Sequence, residues 1–156
     1  MTYADLTLEQ VIQLGIQREI EARELYLSVL ARVDEQVVQD VLRELAAQEE
    51  GHRRSLQLLL DEGALERRLA ASRRPVEDLH LTDYLEETPL DEHADVQQVL
   101  IVAGKREATS HALYSVFAKV AADAEVMNLF EYLAAQELEH KQRIERLYDD
   151  LFYREN

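Results

Sequence analysis

Four stretches of the chain place their inward residues at steps of three and four, the spacing that lines one face of an α-helix. The first runs Ile12, Gly15, Glu19, Ala22, Tyr26, Val29, Val33, and the second Val38, Leu42, Leu45, Glu49, His52, Leu56, Leu59. The third runs Leu100, Ala103, Glu107, Ser110, Tyr114, Phe117, Ala121, and the fourth Val126, Phe130, Leu133, Glu137, His140, Ile144, Leu147. The pattern predicts helices over about 7–33, 35–61, 95–122 and 124–152. Thr7 with Gln10 reads as a capping box at the first start, and Gly63 as a stop signal after the second helix.

Residues 63–94 differ. Pro75 and Pro89 interrupt them and the apolar pattern is short, which predicts a crossover with short helices near 64–71 and 78–87. A connection of that length lets the third helix run parallel to the second. The expected fold is all-α: one domain over 1–156, a four-helix bundle built from two helix hairpins.

The stripes coincide under a single shift of 88 residues. Glu19 maps to Glu107, Tyr26 to Tyr114, Glu49 to Glu137 and His52 to His140. Residues 10–61 and 98–149 share 15 identities in 52 ungapped positions. Chance gives roughly three to five at this composition, so the repeat is real. It relates two hairpins by a pseudo-twofold axis.

Composition narrows the chemistry. With 47% hydrophobic residues the chain has material for a core, and four Gly and two Pro leave little for a turn-rich β fold. The absence of cysteine excludes disulfides, iron–sulfur clusters, Cys₄ metal sites and a thiol nucleophile. A net charge of −15 disfavours nucleic acid and anionic membranes as partners. The N-terminal Met1-Thr2-Tyr3-Ala4-Asp5 has no basic start or apolar run, and no stretch reaches the roughly 18 apolar residues of a membrane span. A cytoplasmic location is expected.

Each stripe carries a Glu at its middle, and two also carry a His three residues later. A carboxylate in a bundle core is costly unless it is compensated. Two divalent cations would bring about four positive charges to four carboxylates, turning a costly core into a neutral one. Glu49 and His52 project from nearly one side of a helix, about 4.5 Å apart along its axis. That spacing suits a carboxylate between two metals and an imidazole on one of them, and Glu137 with His140 repeats it. Carboxylate and imidazole ligands fit iron or manganese. The candidate ligands are therefore Glu19, Glu49, His52, Glu107, Glu137 and His140. Tyr26 and Tyr114 lie two turns beyond their Glu on the same face, placed to donate to a ligand carboxylate or pass an electron. Arg18 and Arg106 repeat beside the stripe and read as flanking ion-pair partners. His111, one turn past Glu107, is a further residue within reach of the site. His80 and His93 read as solvated, and the pairs Arg67-Arg68 and Arg73-Arg74 as surface ion pairs.

These residues resemble the rubrerythrin branch of the ferritin-like superfamily, over most of the chain. A Glu from each of two helices plus Glu-x-x-His from the other two is the ligand pattern of ferritin-like di-iron and di-manganese proteins. The helix-one signature is similar to Glu19, Ala22 and Tyr26. The helix-two signature is similar to Gln48-Glu49-Glu50-Gly51-His52 and to Gln136-Glu137-Leu138-Glu139-His140. The resemblance implies that Glu49 and Glu137 bridge two irons, with Glu19 and His52 completing one and Glu107 and His140 the other. Manganese or a mixed pair fits the same ligands. The family's peroxidases also use a helix-three Glu one turn later, where this chain has Ser110, which argues against a ligand exchange there. With no cysteine before Asn156, electrons are expected from a separate donor protein. Glu50 and Leu138 stand where bacterioferritin has its haem-binding Met, so no haem is expected. The implied activity is reduction of hydrogen peroxide or dioxygen, in a homodimer. A ferroxidase or iron-storage protein and a non-enzymatic, metal-stabilised interaction bundle are the alternatives.

Overall fold

The computed structural model describes residues 8–61, 90, 91, 93–121 and 123–153. Thr7 and Gly63, the short crossover helices expected near 64–71 and 78–87, His80 and the paired arginines lie outside the described residues. Among the described residues the structure is four helices in order: α1 (Leu8–Leu30), α2 (Gln36–Asp61), α3 (Val96–Val120) and α4 (Ala124–Phe152).

Local chemistry explains where these helices start and stop. Asp95 caps α3: its side chain accepts from Gln98 N at 2.8 Å, while the Gln98 side chain accepts from Asp95 N at 3.0 Å. This is a reciprocal capping box, worth about 1 kcal/mol. Asp123 opens α4 by accepting from Glu125 N and Val126 N at 2.9 and 3.1 Å. α1 stops at Leu30, before the Val33 that ends its apolar stripe. The polypeptide turns there to return as α2: Ala31 N and Arg32 N donate to Leu27 O and Val29 O at 3.1 and 2.9 Å, and side chains hold the turn itself. Gln39 Nε2 donates to Val33 O at 2.8 Å, and Arg32 Nη1 donates to Ala94 O at 2.8 Å, tying this turn to the start of α3. Val33 still packs against the core from the turn.

α1 packs mainly on α2, and α3 on α4, as two hairpins; α1 also meets α3, and α2 meets α4 less closely. Two apolar clusters fill the interior. One gathers Ile12, Ile16, Leu56, Leu59, Leu113, Phe117, Phe130 and Leu133. The other gathers Val29, Val38, Leu42, Leu45, Leu100, Ile144 and Leu147. A fully buried side chain of this kind contributes about 1.5–3 kcal/mol. The stripe carboxylates and imidazoles fall between the two clusters. The architecture is that of a ferritin-like four-helix bundle. Among the described residues, no helix is long and apolar enough to cross a membrane.

Candidate metal centre

Glu19 comes from α1, Glu49 and His52 from α2, Glu107 from α3, and Glu137 and His140 from α4. All six are 3% exposed or less. Ligand atoms of Glu49, His52, Glu137 and His140 lie within 4.8 Å of one another. Each imidazole turns Nδ1 toward the carboxylates. His52 Nδ1 is 2.9 Å from Glu137 Oε1, 3.5 Å from Glu19 Oε2 and 3.8 Å from Glu49 Oε2. His140 Nδ1 contacts Glu49 Oε1 and lies 3.9 Å from Glu107 Oε2. The two rings stack, with centroids 5.4 Å apart and planes 18° from parallel. Glu19 therefore sits beside His52, and Glu107 beside His140.

The tyrosines tie the hairpins together crosswise. Tyr114 donates to Glu19 Oε1 at 2.7 Å, and Tyr26 donates to Glu107 Oε1. Residue 26 thus lies opposite 107, and 114 opposite 19, so α1 and α3 run antiparallel. The His52–Glu137 and His140–Glu49 contacts set α2 antiparallel to α4 in the same way. Because each hairpin is itself antiparallel, α2 and α3 run parallel. Gly15 makes room for one of these tyrosines: a Cβ there would stand 3.3 Å from the Tyr114 hydroxyl and 3.5 Å from Leu56 Cδ1.

The electrostatics are those of a crowded anionic site. Burial pushes the Glu49 and Glu137 carboxyls well above their ordinary range, and the charges of Glu107, of Glu19 and of each other's neighbours push the same way. Burial also raises Glu107, against hydrogen bonds that oppose it. Burial acts likewise on Glu19, but hydrogen bonds from its neighbours and the adjacent His52 outweigh it, leaving Glu19 below its ordinary value. Burial and the facing carboxylates raise the Tyr26 and Tyr114 phenols, so both keep their protons. His140 is pushed down to about 3, first by burial and then by His52, and is neutral at pH 7.

Three oxygens in this set, Glu19 Oε2, Glu49 Oε2 and Glu107 Oε2, are buried without a hydrogen-bond partner. An unsatisfied buried acceptor costs about 1–3 kcal/mol, and more when charged. A neutral His140 imidazole, a second imidazole on His52 and carboxylates with orphaned oxygens are the donor set a divalent cation satisfies. The residues present fit a metal pair.

A narrow cleft between α1 and α3 reaches the four carboxylates, past Arg18, Glu21, Ala22, Arg106 and Ser110. Its volume of about 10 Å³ is the room of one water. Arg18 and Arg106 therefore flank the mouth of the site and do more than lie beside a stripe. Ser110 faces the same cleft. His111 does not reach the ligands: its Nδ1 bonds the backbone carbonyl of Ala134 at 2.7 Å. His93 is exposed.

Two residues had no role assigned from their sequence position. Glu21 Oε2 is buried without a partner at the cleft. Gln48 Oε1 meets His140 Nε2 at 2.6 Å. A signal for Gln48 existed, since Ala-Ala-Gln-Glu recurs at 46–49 and 134–137. Glu21 has none, because its counterpart in the repeat is Thr109.

The fold and the site thus define a helical bundle with a buried carboxylate–imidazole cluster. A model of the Rubrerythrin family matches residues 98–156, which cover α4 and all but the first two residues of α3. That match covers less than half of the chain; with the buried cluster, it makes the chain similar to rubrerythrin-like proteins of the ferritin-like class. Neither a curated protein nor a solved structure gives a significant match to the chain.

Proposed function

We propose that this chain is a di-iron oxidoreductase that reduces hydrogen peroxide or dioxygen with electrons from an external donor protein. The observation that carries this reading is the group of orphaned carboxylate oxygens held with two imidazoles in a buried layer of the bundle. Glu49 and Glu137 would bridge the metals; Glu19 with His52 and Glu107 with His140 would complete them. A bound iron pair supplies two electrons and Lewis acidity.

The chain's own residues do the rest. The six ligands sit in a buried layer between apolar clusters, which strengthens their hold on a cation. The cleft between α1 and α3 admits only a small species. Tyr26 and Tyr114 hold the terminal carboxylates in place with protonated phenols. Reduction of hydrogen peroxide breaks its O–O bond and consumes two electrons and two protons to give two waters. Each cycle therefore ends with a centre that the donor must re-reduce. The family resemblance extends the reading to a homodimer in the cytoplasm.

Anaerobic loading with ferrous iron, followed by rapid mixing with peroxide or dioxygen, tests it. Binding of about two irons per chain is expected, then new near-ultraviolet and visible absorbance that develops faster with peroxide. No absorbance change with either oxidant would sink the proposal. Elution as a particle of several hundred kilodaltons would replace it with iron storage.

A further inference from the structure

The repeat makes the two halves of the centre equivalent in their ligands, but the far sides of the two imidazoles differ. His140 Nε2 donates to Gln48 Oε1 at 2.6 Å, across the boundary between α4 and α2. Gln48 Nε2 donates to Glu44 Oε1 at 3.4 Å, and Glu44 Oε2 accepts from Arg143 Nη2 at 3.0 Å. The chain of contacts leaves α4 at His140 and returns to it at Arg143. Moved by 88 residues, Gln48 becomes Gln136, Glu44 becomes Tyr132, and Arg143 becomes Ser55. Among the described residues no hydrogen bond joins Gln136 to His52. The Tyr132 ring stands edge-on to His52 instead, with centroids 6.2 Å apart and planes at 88°.

An outer partner on a ligating imidazole fixes its tautomer, sets its ring angle and raises its basicity. Gln48 Oε1 can only accept, so this contact places a proton of His140 on Nε2 and leaves Nδ1 as the ring nitrogen that would face a metal among the carboxylates. Among the described residues His52 has no such hydrogen-bonding partner; the Tyr132 ring packs edge-on to it. We propose that Gln48 is a positioning residue that makes the half-site of His140 and Glu107 bind a divalent metal more tightly than the half-site of His52 and Glu19, so that two metals load in order. This inference rests on the di-metal reading of the site. It adds an inequality that neither the ligand pattern nor the repeat contains.

The test is anaerobic titration of the full chain with Co²⁺, followed by its d–d absorbance and by calorimetry. Wild type is expected to fill in two resolved steps, at least tenfold apart in Kd. Gln48→Leu removes the acceptor at similar size. It is expected to weaken the tighter step by about 10–100-fold, the usual effect of losing an outer partner, so that the steps merge. Gln48→Glu keeps an acceptor oxygen and is expected to restore two steps, while Gln136→Leu leaves them unchanged. In the metal-free wild type, ¹⁵N NMR is expected to show His140 as the Nε2–H tautomer; this measurement requires no variant to fold. Two indistinguishable steps in wild type, a Gln48→Leu titration like wild type, or the opposite His140 tautomer overturns the proposal and leaves the centre standing. A wild type that binds no Co²⁺ overturns the di-metal reading itself, and this inference with it.

Discussion

Tyr114 on α3 donates its hydroxyl to Glu19 on α1 at 2.7 Å, not to the Glu107 of its own helix. Seven residues separate Tyr114 from Glu107, about 10.5 Å along a helix axis, too far for a hydrogen bond. The antiparallel neighbour closes that gap. Tyr114→Phe is expected to leave a Glu19 oxygen without its donor and to cost about 1.5–3 kcal/mol, the range for a hydrogen bond to a charged group. Urea unfolding of metal-free protein measures this. Tyr26→Phe is expected to do the same through Glu107.

Glutamine at Glu49 or Glu137, the proposed bridging positions, separates folding from binding. Glu49 and Glu137 are raised by burial and by neighbouring carboxylates, so each anion is held against a penalty. Glu137→Gln removes an ionisable group at constant shape, and with it the penalty of ionising there. The metal-free variant is expected to melt a few degrees higher, since about 1 kcal/mol is worth roughly 2–4 °C at this size. Its metal affinity is expected to fall by more than the roughly 10–100-fold that loss of an outer partner costs. A melting scan and a metal titration on the same sample check both directions.

The pH dependence follows from the same shifts. Glu49, Glu107 and Glu137 have raised folded-state pKa values, so the folded protein binds more protons than the unfolded chain above the ordinary carboxylate value of 4.5. Their contribution to stability is full below that value and is lost as pH rises through the folded pKa values. His140, held down to about 3, acts the other way, because the unfolded chain takes up its proton between that value and the ordinary 6.5. The three raised carboxyls outnumber it, and metal-free protein is expected to melt higher at pH 5 than at pH 8. Metal binding demands deprotonated carboxylates, so affinity is expected to rise with pH over the same window. Metal-loaded protein should therefore gain stability where metal-free protein loses it. Melting curves at both pH values, with and without Mn²⁺, read this out.

Gly15 tests the packing behind Tyr114. At 3.3 Å from the hydroxyl, an added methyl is tight, and a branched side chain has no room. Gly15→Ala would gain about 1 kcal/mol of helix propensity if Tyr114 gives slightly. Gly15→Val is expected to push Tyr114 off Glu19 and to destabilise by about 1–3 kcal/mol, as overpacking does. Urea unfolding of both variants measures the difference.

Much of this molecule was legible in the chain because a helix face is a one-dimensional pattern. Glu19, Glu49, Glu107 and Glu137 each interrupt an apolar stripe at its middle, and regular steps carry that register into space. What crosses between helices was not legible. The spacing of Tyr26 showed that it faces the core, but its partner depends on the direction of α3. Arg18 and Arg106 looked like flank residues because their role depends on a cleft between two helices distant in sequence. His111 looked near enough to reach the ligands. Its ring instead turns to a carbonyl of α4, a choice that periodicity does not encode. Glu21 sits two residues from Glu19, where a stripe analysis predicts solvent, yet one of its oxygens is buried at the cleft.

The bonds that close the centre run almost entirely from one hairpin to the other: Tyr26 to Glu107, Tyr114 to Glu19, His52 to Glu137, His140 to Glu49. Each hairpin is a half that cannot satisfy its own charged face and fits a rotated copy of itself. Two identical hairpins meeting about a true axis would build the same layer, but every amino-acid change would then occur twice, once on each side. Joining the halves in one polypeptide releases that constraint. Gln48 can serve one imidazole while Gln136 makes no hydrogen bond to the other among the described residues, and Glu21 can stand at the cleft although its counterpart in the repeat is a threonine. The single chain is what allows a symmetric scaffold to carry two unlike sides.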